Sequence, residues 1–213
     1  MGEQGHGGRG LWPLLIAWLT YGALAYAVWG PWVPSPTVAN TLLGVDMAEA
    51  VKFLPQVRSG QISVHREVFL LPQMLLAFTL AIHAWQRRWS YPTWLRVLMQ
   101  LAAVVTALSL LPPPWSPALL RAPEWRVHTA LIGITLAVAL FAPLWARWPA
   151  RWLDGALGVF ALLTGTWVGA ELQQVWPDFI QVYHRSLNFG GGVWALGLGV
   201  TGLLLFAIVT INE

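Results

Sequence analysis

The residues best equipped for chemistry gather between Glu171 and Gly192, where Glu171, Asp178, His184, Arg185 and Asn188 separate two long apolar runs. Glu171 is the most pointed of them, a carboxylate on an otherwise apolar segment, one turn before Gln174. An ionisable group at membrane depth is costly and faces protein or water, which makes it a functional candidate. The plainer alternative is an interfacial ion pair, with Arg185 as the expected partner and Arg126 as its substitute. The candidates for catalysis are Glu171, His184, Arg185 and His128.

His65, His128 and His184 each stand where an apolar run begins, with Glu67, Glu124, Glu171 and Asp178 at about the same level. Convergence of these groups would give a nitrogen/oxygen site suited to zinc, manganese or iron, so His65, His128 and His184 are the candidate ligands. No HExxH or HxH spacing accompanies them, and histidines that meet headgroups or nearby carboxylates explain the pattern as simply. A haem held between helices needs two histidines at matched depth. His83 is alone at its end of the chain's second apolar run, leaving His128 with His184. No cofactor is assigned on these grounds.

Other chemistries find less. No Gly-x-Ser-x-Gly turn is present. Gly190-Gly191-Gly192 lacks the lysine of a phosphate loop and reads as a flexible start to the last apolar run. The chain has no cysteine, which excludes disulfides, thiolate metal sites and a cysteine nucleophile.

The elements that must position these residues follow from composition. The 213 residues are 57% hydrophobic and 10% charged, against about 25% charged in soluble proteins. Apolar runs of roughly 20 residues match the length a helix needs to cross the hydrocarbon. Most of the fifteen tryptophans lie beside Pro or Arg at the ends of those runs, where indole rings favour the headgroup level. The expected fold is an all-α integral membrane protein with six transmembrane helices, at about 11–30, 68–85, 93–111, 127–145, 152–170 and 189–211. A cytoplasmic tail at 1–10 precedes this single bundle. Ala23-Leu24-Ala25 resembles a cleavage site, but the apolar run continues through Trp29, which favours a retained helix over removal of residues 1–25.

Prolines 31, 34 and 36 end the first run. Within the outer loop 31–67, Asp46 and Glu49 suggest a capping box. The helix it opens is short and amphipathic, carrying Met47, Ala50, Val51 and Leu54 on one face, and Pro55 stops it. Pro72 could kink the second span, and Asp154 suits the dipole at the start of the fifth. Gly165 and Gly169 form a close-packing pair, and Gly197, Gly199 and Gly202 thin the sixth span for a neighbour.

Odd spans leave through Trp and Pro, and even spans begin with a His/Arg cluster, a repeat that suggests three helical hairpins. The tail and the two basic connectors carry Arg9, Arg87, Arg88, Arg96, Arg147 and Arg151 against Glu3, Asp154 and Glu213, leaving +3, while the opposite side is neutral. These arginines lie in short loops, so both termini are expected on the cytoplasmic side of a plasma or bacterial inner membrane.

No basic cluster of the kind nucleic acid requires is present. The expected partners are the lipid bilayer and other membrane subunits. The leading expectation is a non-catalytic integral membrane protein acting as subunit or scaffold of a larger assembly. The alternative is an enzyme or carrier acting on a lipid or quinone at the outer leaflet, with a His/carboxylate metal site.

Overall fold

The computed structural model describes residues 11–35, 41–112 and 115–211, and the chain is mostly helical. The expected tail at 1–10 lies outside the described residues, as do Pro36, Pro113, Pro114 and Glu213. The long helices are α1 (Leu11–Trp29), α4 (Leu71–Trp85), α5 (Thr93–Leu108), α7 (Arg126–Leu140), α9 (Ala150–Tyr183) and α10 (Gly191–Ile211). One-turn helices fill the connections: α2 (Met47–Ala50), α3 (Pro55–Arg58), α6 (Pro117–Arg121) and α8 (Ala142–Trp145). Four segments among the described residues are long and apolar enough to cross a membrane: Trp12–Trp29, Arg66–Trp85, Ala150–Tyr183 and Gly191–Thr210.

These helices are apolar around most of their circumference, as buried or lipid-facing helices are. On α9, Val159, Leu162, Leu163 and Trp167 are exposed, while Leu157, Ala161, Val168 and Leu172 are buried. The members of each expected hairpin touch, α1 with α4, α5 with α7 and α9 with α10, but α1 also packs closely along α10 and α4 along α5. The glycines of α10 explain that approach in part. A Cβ at Gly199 would meet the Leu24 side chain, and one at Gly202 would overlap Thr20. Gly165 of the expected pair on α9 faces Val200, whereas Gly169 faces open space.

Several boundaries differ from expectation, each for a local reason. Pro72 produces no kink, because α4 begins at Leu71 after a 3-10 turn over Arg66–Leu70, so the proline sits in the first helical turn. The fourth expected span is two helices, α7 and α8, broken at Phe141 two residues before Pro143, which cannot donate its bond. The fifth does not stop near Ala170. It runs unbroken through the polar stretch to Tyr183, with Pro177 inside it. At 1.5 Å per residue its 34 residues extend about 50 Å, against ~30 Å of hydrocarbon.

The described part of the loop 31–67 is also more regular than a proline-rich exit implies. Pro31–Val33 (β1) pairs antiparallel with Leu42–Leu43 (β2), Pro31 opposite Leu43. The Asp46 carboxylate accepts from the Leu43 N–H, so it closes the turn before α2 instead of capping α2 itself, and Glu49 pairs with Lys52. Pro55 stops the preceding helical stretch as expected, since Leu54 before it is extended, and it also opens α3 at a position that needs no N–H. Met47, Val51 and Leu54 are buried as one face, as the periodicity requires.

Trp32 anchors this loop. It is fully buried, and its indole N–H donates to the Ala27 carbonyl at 2.6 Å. The Gly190 N–H donates to the Trp32 carbonyl at 2.9 Å, and a Cβ at Gly190 would lie 2.1 Å from the Pro31 carbonyl oxygen. The triple glycine is therefore a closely packed cradle and not a flexible lead-in to α10.

Candidate functional site

The candidates chosen from the sequence are placed at the end of the molecule where α9 overhangs. Its register along α10 is fixed by Gly158 against Leu203 and Ala207 and by Gly165 against Val200. Carried forward, that register brings the start of α10 level with Gln173, and the Trp176 and Phe189 rings meet there at 4.4 Å between centroids. The turns beyond Pro177 project past α10 and carry Gln56 of the loop against them through Asp178 and Gln181.

Glu171 meets His65, not Arg185: Oε1 lies 3.0 Å from Nδ1, with the carboxylate nearly buried and the imidazole largely exposed beside Trp167. Arg185 turns instead to the chain just after β1 and donates to the Pro34 carbonyl at 2.6 Å. The expected Glu171–Arg185 contact is absent because α9 stays helical for three more turns, carrying Arg185 away from Glu171. His128 points inward and contacts the Leu110 carbonyl at 2.6 Å, edge-on to Trp125. His184 is exposed and has a φ of 51°, the left-handed residue that terminates α9. The three histidines thus occupy separate settings, and no group of three or more His, Asp or Glu that could hold a metal occurs among the described residues.

The other polar groups at this end of the molecule brace the loop. The buried Asp178 accepts from the Gln56 N–H at 3.1 Å, so a carboxylate from α9 serves the N-terminus of α3. Gln174 donates to the Ser63 carbonyl at 3.3 Å. Arg66 reaches the Glu124 carbonyl at 3.2 Å and lies 4.7 Å over the Trp125 ring, tying the loop to the start of α7.

A second polar assembly stands at the opposite end, and sequence reasoning missed it as a unit. Asp154 of α9 and His83 of α4 are both almost completely buried, with Oδ1 3.3 Å from Nε2. The same carboxylate accepts from Gln86 at 3.1 Å and Thr210 at 2.8 Å, and the Arg88 guanidinium lies 2.5 Å from Oδ2. Arg88 also donates to Thr210 at 2.6 Å. His83 Nδ1 is 2.7 Å from the Tyr21 hydroxyl of α1.

Four elements of the bundle and the basic connector therefore meet in one network. An ionised Asp154 can only accept, so a neutral His83 donates through Nε2–H and accepts a hydrogen bond from the Tyr21 hydroxyl at Nδ1. Aromatic rings seal it: Trp89 is stacked on Tyr91 and lies edge-on to Phe206. Burial pushes the Tyr91 phenol up, which keeps it neutral in this wall.

Asp154 lies just beyond the first turn of α9, so its partners, more than the helix dipole, account for its place. The visible signals were the lone histidine inside an apolar run and the lone aspartate near the start of another. What was missing was the pairing of α4 with α9. No family model matches the chain, and no curated relative or solved structure matches it either.

Proposed function

We propose that the chain is a multi-pass integral membrane protein that serves as a subunit or docking scaffold of a larger membrane assembly. Its six apolar segments cross or enter the bilayer, both termini face the cytoplasm, and the overhanging end of α9 projects from the outer surface. The apolar circumference of α1, α9 and α10 supports the membrane placement, since the exposed tryptophans and aliphatics on these helices need lipid around them, while α4 is buried among them.

The observation that carries the subunit reading is the platform beyond the bundle. The polar groups first singled out for chemistry, Glu171, Asp178, Arg185 and His65, are engaged in holding a rigid cap against α9. On that cap an apolar groove of about 250 Å³ opens between Leu42, Phe53 and Leu54 on one side and Phe179, Val182 and Tyr183 on the other. Phe53 is two-thirds exposed, and Ile180 and Val182 flank it in the open. Apolar surface raised above the lipid is the mark of a protein contact.

A photo-crosslinking side chain at Phe53 or Val182, used in intact membranes, should give protein adducts of defined mass. The same side chain at lipid-facing Leu163 should give none. Adducts to lipid alone at all three positions would remove the subunit reading. A second reading, action on a lipid or quinone from the outer leaflet, rests on the Glu171–His65 pair. It requires that Glu171→Gln abolish binding of a quinone or lipid analogue while the cap stays protease-resistant.

A further inference from the structure

We infer that the basic pocket beneath the buried network binds the phosphodiester headgroup of an anionic lipid at the inner leaflet. The pocket is about 270 Å³, and it opens between the two basic connectors and the start of α9, lined by Gln86, Arg87, Arg88, Arg147, Trp148 and Ala150. Three guanidinium groups surround it and none of its lining residues is acidic. Arg88 is already paired with Asp154, so Arg87 and Arg147, both exposed at the rim, supply the uncompensated charge. Ala150 places the first turn of the longest helix at the same opening, where backbone N–H groups and the helix dipole favour an anion.

The surroundings select a lipid over a soluble anion. Trp148 and Trp152 are each more than half exposed beside the pocket, the position indole rings take at headgroup depth. Phe141 and Leu144, also exposed on the segment that leads into the pocket, offer apolar surface for an acyl chain. Basic pockets between membrane helices on the cytoplasmic side are suited to anionic headgroups. Arg88 belongs to both the pocket and the Asp154 network, so an occupied pocket also holds the junction of α4, α9 and α10 in place.

The proposal rests on the membrane placement above and is independent of the subunit role. The test is lipid retention by the full-length protein, extracted from membranes and measured by native mass spectrometry after exchange into mixed phosphatidylglycerol and phosphatidylcholine. The expected result is retained phosphatidylglycerol in preference to phosphatidylcholine by roughly thirtyfold, the effect of two arginines near the surface. The rim variant R87Q/R147Q should bring that preference to near unity at an unchanged melting temperature. Equal retention of the two lipids by the wild-type protein overturns the proposal, and this comparison needs no variant to fold.

Release of the lipid by millimolar inorganic phosphate would assign the pocket to a soluble phosphate and overturn the lipid source. A chain recovered in the soluble fraction without detergent would overturn the membrane reading and this proposal together. A membrane-extracted chain that does not discriminate overturns this proposal alone.

Discussion

His83 and Asp154, 71 residues apart in sequence, face each other at 3.3 Å in a setting that admits almost no water. Asp154 holds four side chains at once, one from each of α4 and α10 and two from the connector after α4. Removing one member of a buried charged pair leaves the other uncompensated, whereas removing both is milder.

Asp154→Asn should therefore lower the stability of the detergent-solubilised protein by about 3 kcal/mol. Arg88→Met should also destabilise it, and the double variant should lose clearly less than the two single losses together. Thermal unfolding followed by tryptophan fluorescence measures all three. Simple additivity would mean that the two residues act independently.

The glycine cradle gives a prediction with an internal control. Gly190→Ala drives a Cβ into the Pro31 carbonyl, which side-chain rotation cannot relieve, and should cost about 2 kcal/mol or more. Gly169→Ala meets open space and should be neutral or slightly stabilising, since alanine favours the helix. Equal melting temperatures for the two variants would refute the packed cradle.

His184 offers a direct way to separate backbone from chemistry. Its left-handed φ carries a strain that glycine does not, so His184→Gly should raise stability by about 1 kcal/mol. A variant that instead melts lower would show that the imidazole itself holds something.

Orientation can be read with introduced thiols, because the chain has no cysteine of its own. In intact cells, cysteines at Ser90 and Ala150 should be shielded from an impermeant reagent, and one at Ser116 should react. Labelling at Ser90 with none at Ser116 would invert the arrangement.

The helices were legible because their apolar runs are long and their ends are marked by Trp and Pro. Met47, Val51 and Leu54 could be assigned to one buried face for the same reason. The end of α9 was not legible, since Gln173, Gln174 and Asp178 read as a solvated connection. As residues of an overhanging helix, Gln174 and Asp178 hydrogen-bond to the loop at Ser63 and Gln56. Polar composition reports polar surroundings, which is a different property from the absence of helix.

The site was hidden by a related effect. Glu171 and His184 stood out through neighbours in sequence, but their partners are set by how far α9 continues. His83 and Asp154 were each visible as odd residues in apolar runs. Nothing local joins them, because the pairing depends on α4 and α9 packing side by side, with Tyr21 and Thr210 brought in by α1 and α10.

The close packing of α1 on α10 has a consequence for biogenesis. α1 is made well before α10, so it finds this neighbour only after the intervening helices have been made. Until then Leu24 has no glycine groove to fill, Trp32 has no cradle, and Tyr21 has at most part of its network. Thr20 is equipped for the delay, since its hydroxyl already donates to the Ile16 carbonyl of its own helix. The waiting helix leaves one fewer unsatisfied group exposed, and α1 reaches its full packing only after α10 has been made.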